Sequence, residues 1–287
     1  MPECVAYHDV AASIASQSTY SYLALNSEEL DTDGMHDPAS NNSRITAKTA
    51  GRYILTAKLR WGANAGSYRE AVFRKNGSTL LAGRTLWPNT NVAWPTTLSL
   101  LADLALNDYI ELGVRQESGA SINIEAESGL TPYISAVLLN DDVYADIYHS
   151  QNQAISSGGL WRFVTFDSEL ADADGMHDPS VNPTRLTIPF DGWYAFWGQV
   201  SWAANTSSLR GIMLQVDGTE DRTSGGHTNT PSISTPWLQQ IFTFIHLTQG
   251  QYVELGVRQA TGSNLDVEFV SGLSPVLRAA RLAQLAT

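Results

Sequence analysis

Seven residues near the start of the chain, Asp31-Thr32-Asp33-Gly34-Met35-His36-Asp37, recur as Asp172-Ala173-Asp174-Gly175-Met176-His177-Asp178. The same offset of 141 positions carries Pro38 onto Pro179, and Asn41, Arg44 and Thr46 onto Asn182, Arg185 and Thr187. A match of this length marks a duplicated unit, which constrains the fold more than any composition does. The 287 residues therefore divide into two units, expected as 1–140 and 141–287 with a short acidic linker at Asp141-Asp142. Each unit is long enough to bury a core of its own.

The repeat runs through almost the whole chain. Tyr7-His8 and Ile14 meet Tyr148-His149 and Ile155, and Tyr20, Tyr22, Leu23 and Leu25 meet Trp161, Phe163, Val164 and Phe166. Residues 51–61 and 192–202 alternate with period two. Tyr53, Leu55, Ala57, Leu59 and Trp61 share one side, as do Tyr194, Phe196, Gly198, Val200 and Trp202, so each run predicts a central strand with its aromatics in the core. Asn76-Gly77 and Asp217-Gly218 supply the positive φ angles of tight hairpin turns. Residues 78–95 and 219–236 match least and read as variable loops, with two residues inserted in the second copy. The register resumes at offset 143, where Tyr109–Gln116 meets Tyr252–Gln259 almost residue for residue. Short strands separated by regular turn signals, with no sustained helical period, predict an all-β sandwich or barrel.

Charge and cysteine content narrow the function classes. A net charge of −12 leaves no basic stripe to neutralise phosphates, so nucleic acid is not an expected partner. The single cysteine, Cys4, rules out an internal disulfide and a cysteine-based zinc site, and reads as a bystander. No stretch has the length of a membrane span, and the N-terminus lacks the charge and apolar run of a secretory signal. The expectation is a protein made in the cytoplasm, with no membrane insertion.

Each unit resembles the globular-head domain of complement component 1q, a relative of the tumour-necrosis-factor jelly roll. The residues that carry the likeness are Ser27-Glu28, Asp31 to Asp37, Arg44 to Thr46, Gly51-Arg52-Tyr53 and Tyr109 to Gln116, with their counterparts in the second copy. The resemblance implies two tandem jelly-roll β-sandwiches of the TNF-like kind, assembled as a homotrimer, with no catalytic residues. The D-G-M-H-D form looks most like bacteriophage virion proteins. It implies a capsid decoration or cement protein that binds the major capsid protein non-covalently and resides in the virion. The alternative is a tail-tip or fibre module that recognises a host surface glycan or protein. A bacterial adhesin or secreted lectin fits less well, because no signal peptide is apparent.

Three features invite chemistry. Asp31, Asp33 and Asp37, with Asp172, Asp174 and Asp178, place three carboxylates around a flexible glycine in each loop, a set that would suit Ca²⁺. The competing reading is a turn whose carboxylates bond backbone amides. His36 and His177 read as hydrogen-bonded structural histidines, or as groups at a subunit boundary that titrate there. Trp87, Trp94 and Trp237 fall in or beside the variable stretches and are candidates for sugar stacking or for subunit and shell contacts. Glu28, Glu111 and Glu125 and Arg44, Arg69 and Arg115 all have repeat counterparts: Glu169, Glu254, Glu268, Arg185, Arg210 and Arg258. Regular strand positions make cross-strand pairs of these more readily than acid–base dyads. No enzyme, and no cofactor beyond possible calcium, is expected.

Overall fold

The computed structural model describes residues 2–64, 68–86, 91–126, 132–139, 143–205, 209–220, 226–229 and 237–282. Trp87 and the Asp141-Asp142 linker lie outside them. The chain separates into two compact units, Met1–Leu139 and Asn140–Thr287. Every regular element in the described residues is a β-strand, and no helix is long and apolar enough to cross a membrane.

Eight principal strands build the first unit: β1 (Glu3–Tyr7), β2 (Arg44–Thr46), β3 (Gly51–Trp61), β4 (Arg69–Lys75), β5 (Thr79–Leu86), β6 (Trp94–Leu104), β7 (Tyr109–Gln116) and β8 (Tyr133–Leu138). The front sheet runs β6-β3-β8-β1 and the back sheet β2-β7-β4-β5, every pairing antiparallel. First, eighth, third and sixth strands in one sheet, with second, seventh, fourth and fifth in the other, make a jelly roll. Short strands widen the front sheet: Ser27–Asp31 beside β1, and Ile122–Ile124 with Ala12–Ile14 beyond the Trp61 end of β3.

The second unit repeats the plan with β9 (Tyr144–Tyr148), β10 (Arg185–Thr187), β11 (Gly192–Trp202), β12 (Leu209–Val216), β13 (Gly226–Asn229), β14 (Trp237–Leu247), β15 (Tyr252–Gln259) and β16 (Val276–Arg281). Its front sheet is β14-β11-β16-β9; in its back sheet β10 and β12 flank β15, and β13 pairs with β12.

The alternation read from the sequence is the alternation of burial. Tyr53, Leu55, Ala57, Leu59 and Trp61 are fully buried between the sheets, as are Tyr194, Phe196, Val200 and Trp202. Each central strand is paired on both sides, β3 by β6 and β8, and β11 by β14 and β16. The β4–β5 hairpin turns at Asn76 (φ 53°) and Gly77 (φ 72°), and its counterpart at Asp217 (φ 46°) and Gly218 (φ 75°). Positive φ at both turn residues matches the right-handed twist of the flanking strands. Cys4 is a core residue of β1, fully buried rather than a bystander. Burial, and then the nearby carboxylates of Asp31 and Glu28, push its thiol up to about 12.

Candidate functional site

The DGMHD loop is built around the carboxylate of Asp31, at the end of the Ser27–Asp31 strand. Its Oδ1 accepts the amides of Asp33 (3.1 Å) and Met35 (3.0 Å), and its Oδ2 that of His36 (2.9 Å). Gly34 takes a positive φ of 63° to close the bend, and Met35 drops into the core. Burial pushes the Asp31 carboxyl up, but the amides of Met35, His36, Asp33 and Gly34 outweigh it and hold it below the ordinary carboxylate range. The other two carboxylates turn elsewhere. Asp37 caps the amides of Ala39 (2.9 Å) and Ser40 (3.2 Å), and Asp33 accepts the Thr49 hydroxyl (3.2 Å). In the second unit Asp172 takes the amides of Met176 (2.8 Å) and His177 (3.0 Å), Asp178 those of Ser180 (2.8 Å) and Val181 (3.2 Å), and Asp174 is exposed.

The calcium reading gains no support from this arrangement. Among the described residues no three His, Cys, Asp or Glu side chains converge as a metal set. The Asp31, Asp37, Asp172 and Asp178 carboxylates each bond amides of their own turns, and Asp33 bonds the Thr49 hydroxyl. A spacing that would suit a cation is equally the spacing of consecutive side-chain-capped turns.

His36 and His177 are buried beneath the same loops. Both face a glutamate through Nδ1, Glu28 at 2.8 Å and Glu169 at 2.8 Å. Nε2 of His36 faces the Asn42 carbonyl at 3.2 Å, whereas Nε2 of His177 is buried without a hydrogen-bond partner among the described residues. His36 thus ties the strand before its loop to the chain after it, whereas His177 is tied by hydrogen bond only to the strand before its own.

The paired charges are structural. Arg44 lies directly opposite Glu111 (3.4 Å) and stacks on Tyr109, and Arg185 repeats this with Glu254 (3.4 Å) and Tyr252. Arg60 pairs with Glu125 (3.3 Å) and Arg115 with Glu70 (2.7 Å). Arg258, the counterpart of Arg115, stacks on Trp161 (4.7 Å) as Arg115 does on Tyr20 (4.9 Å), and Gly211 stands in the place of Glu70. Arg69 and Arg210 have no water-exposed surface and bond backbone carbonyls, Arg69 those of Gly62 (3.3 Å) and Asn64 (2.7 Å), Arg210 that of Asn205 (3.0 Å). Burial alone pulls Arg210 down to about 10.

Two of the three candidate tryptophans occupy one equivalent strand position. Trp94 opens β6 opposite Trp61, and Trp237 opens β14 opposite Trp202. Trp237 is only 3% exposed and Trp94 is half-buried. Neither is a loop tip; the register resumes at these residues, 143 positions apart, earlier than the matching sequence shows.

The two units also differ on the outward side of the front sheet. In the first unit that side carries polar pairs: Arg52 chelates Asp103 (2.8 and 2.7 Å), Thr56 bonds Ser99 (3.1 Å), and Lys58 stands opposite Thr97. The same positions in the second unit hold Trp193 opposite His246, Trp197 opposite Phe242, and Gln199 opposite Gln240, with Phe244 beside them. Trp193 meets His246 edge-on at 5.4 Å and Phe242 meets Phe244 edge-on at 5.2 Å. Trp193 is 53% and Phe244 47% exposed. Matching residues disclosed the repeat, so these divergent positions carried no signal in the sequence.

No family model matches the chain, and no curated protein matches it. Solved structures similar to it include the globular domain of zebrafish complement 1qA protein, at 15% identity and a TM-score of 0.36, covering 50% of this chain and 100% of that one. Murine APRIL at pH 5.0 is similar at 11% identity and a TM-score of 0.35, covering 47% and 99%. The jelly-roll assignment rests on the strand order of each unit.

Proposed function

We propose that the chain is a non-catalytic structural component of a bacteriophage virion, a homotrimeric decoration protein that binds the major capsid protein non-covalently. The observation that carries the assembly half of this reading is the aromatic face of the second unit. Trp193, Phe242 and Phe244 stand where the duplicated unit holds Arg52, Ser99 and Leu101. Partly exposed aromatics gathered on one unit, where its twin holds an ion-paired arginine, a serine and a buried leucine, are what a subunit contact leaves on a free chain. A trimer matches three-fold positions of a shell, and several weak contacts made together become strong. The virion half rests on the D-G-M-H-D form of the loops.

The deciding experiment is the copy number of this chain relative to major capsid protein, from quantitative mass spectrometry of purified virions. A number on the scale of the shell's three-fold sites supports decoration. A number on the scale of one tail moves the protein to host recognition, and absence from virions overturns both. The assembly half is tested by mass in solution: the wild type should run as a trimer, and Trp193→Ser with Phe244→Ser as a folded monomer.

A further inference from the structure

The front sheet of the first unit carries a concavity, and at the equivalent strand position the second unit places an arginine. Cys4 and Ala6 point into the core, so Glu3, Val5 and Tyr7 of β1 face outward, beside Tyr133, Ser135 and Val137 of β8. Together with Glu29 these residues line a cavity of about 660 Å³, within the range of sites that hold a ligand. The strand register sets Tyr7 opposite Tyr133 and Val5 opposite Ser135.

In the second unit the position of the Val5–Ser135 pair is taken by Asp146 and Arg278. The Arg278 guanidinium sits 2.7 Å from Asp146 and 4.8 Å from the Trp197 ring. One unit thus supplies its own guanidinium to this part of the sheet. The other has two small side chains there, and two tyrosines and two carboxylates around the space. Neither Glu3 nor Glu29 has an ion pair among the described residues.

We propose that this concavity of the first unit receives an arginine side chain presented by a partner protein. Glu3 and Glu29 would supply the countercharge, and Tyr7 and Tyr133 the ring surface against which a flat cation packs. Arginine fits better than lysine because a planar fork can both stack and bond two oxygens; on the equivalent strands Arg278 stacks on Trp197 beside the Asp146 carboxylate. The net charge of −12 draws a basic partner toward the chain at long range. The inference is independent of the virion reading, since it rests on the groove and its twin alone.

The test uses the full chain and three short acetylated, amidated peptides, Gly-Arg-Gly, Gly-Lys-Gly and Gly-citrulline-Gly, read by saturation-transfer NMR on the peptide. The arginine peptide should bind saturably, the lysine peptide more weakly, and the uncharged citrulline peptide not at all. Glu29→Gln, a change at an exposed position, should weaken the arginine peptide about tenfold, the loss of one charge-assisted contact. Val5→Asp with Ser135→Arg rebuilds the second unit's pair and should abolish binding with the melting curve kept. Equal signals from arginine and citrulline, or full binding by either variant, would overturn the proposal.

Discussion

Arg278 Nε lies 2.7 Å from Asp146 Oδ2, across a directly opposed pair of β16 and β9, where the first unit sets Ser135 against Val5. Both side chains are about nine-tenths buried. A buried ion pair returns little net stability, but removing one partner strands the other charge at a cost of about 3–5 kcal/mol. Arg278→Ser alone should therefore destabilise strongly in urea. Arg278→Ser with Asp146→Val, the pair the twin unit already tolerates, should recover much of the loss. Simple additivity of the two single changes in denaturation would contradict this account.

The loop carboxylate of Asp31 sets part of the acid limb. Its folded-state pKa is depressed, so its contribution is fully present above the ordinary unfolded value of about 3.9 and is lost as the pH falls through the folded value. Asp31→Asn should cost stability at neutral pH and flatten the decline of stability with acid below about pH 4. Melting midpoints of both proteins across that range provide the check. Parallel curves would show that the carboxylate does not supply the pH dependence.

Calcium should leave the protein unchanged. With Asp31 bonded to three amides and Asp37 to two, ligating a cation would require breaking the turns that those bonds hold. Addition of millimolar Ca²⁺, or of chelator, is expected to leave the melting midpoint in place. A rise with metal that scales with its concentration would establish a site.

How much of this was legible beforehand follows from what each signal encodes. The duplication, the buried alternation of Tyr53 to Trp61, and the Asn76-Gly77 turn are local patterns, and each can be read along the chain. The pairing of β1 with β8 is not, because it joins residues more than a hundred positions apart and leaves no local trace. The aspartates of the loop were ambiguous for a physical reason: carboxylates that cap turns and carboxylates that bind cations occur at the same spacing. The outward face of the front sheet was illegible because Trp193 and Arg52, or Arg278 and Ser135, share nothing that an internal comparison would flag.

Cys4 should be chemically silent in the native state. It is fully buried, and with its thiol pushed up to about 12 almost no thiolate exists at mild alkaline pH. A colourimetric disulfide reagent at pH 8 is expected to find no reactive thiol in folded protein and one per chain after denaturation, since the sequence holds one cysteine. Rapid labelling of folded protein would mean that β1 opens locally.

Trp237 separates a packing role from a binding role. It opens β14 opposite Trp202, whose indole nitrogen donates to Gln239 at 2.7 Å, and its side chain is almost wholly enclosed. Trp237→Ala should remove about 3–5 kcal/mol of stability, the range for truncating a large core aromatic. Trp237→Phe keeps a ring in the same space and should lose much less. Trp193→Ala, at the exposed end of the opposite strand, should barely change urea stability and should instead weaken assembly. The two alanine variants compared by urea denaturation and by solution mass make the distinction. If Trp237→Ala kept full stability and lost partner binding, Trp237 would have to be assigned to an interface after all.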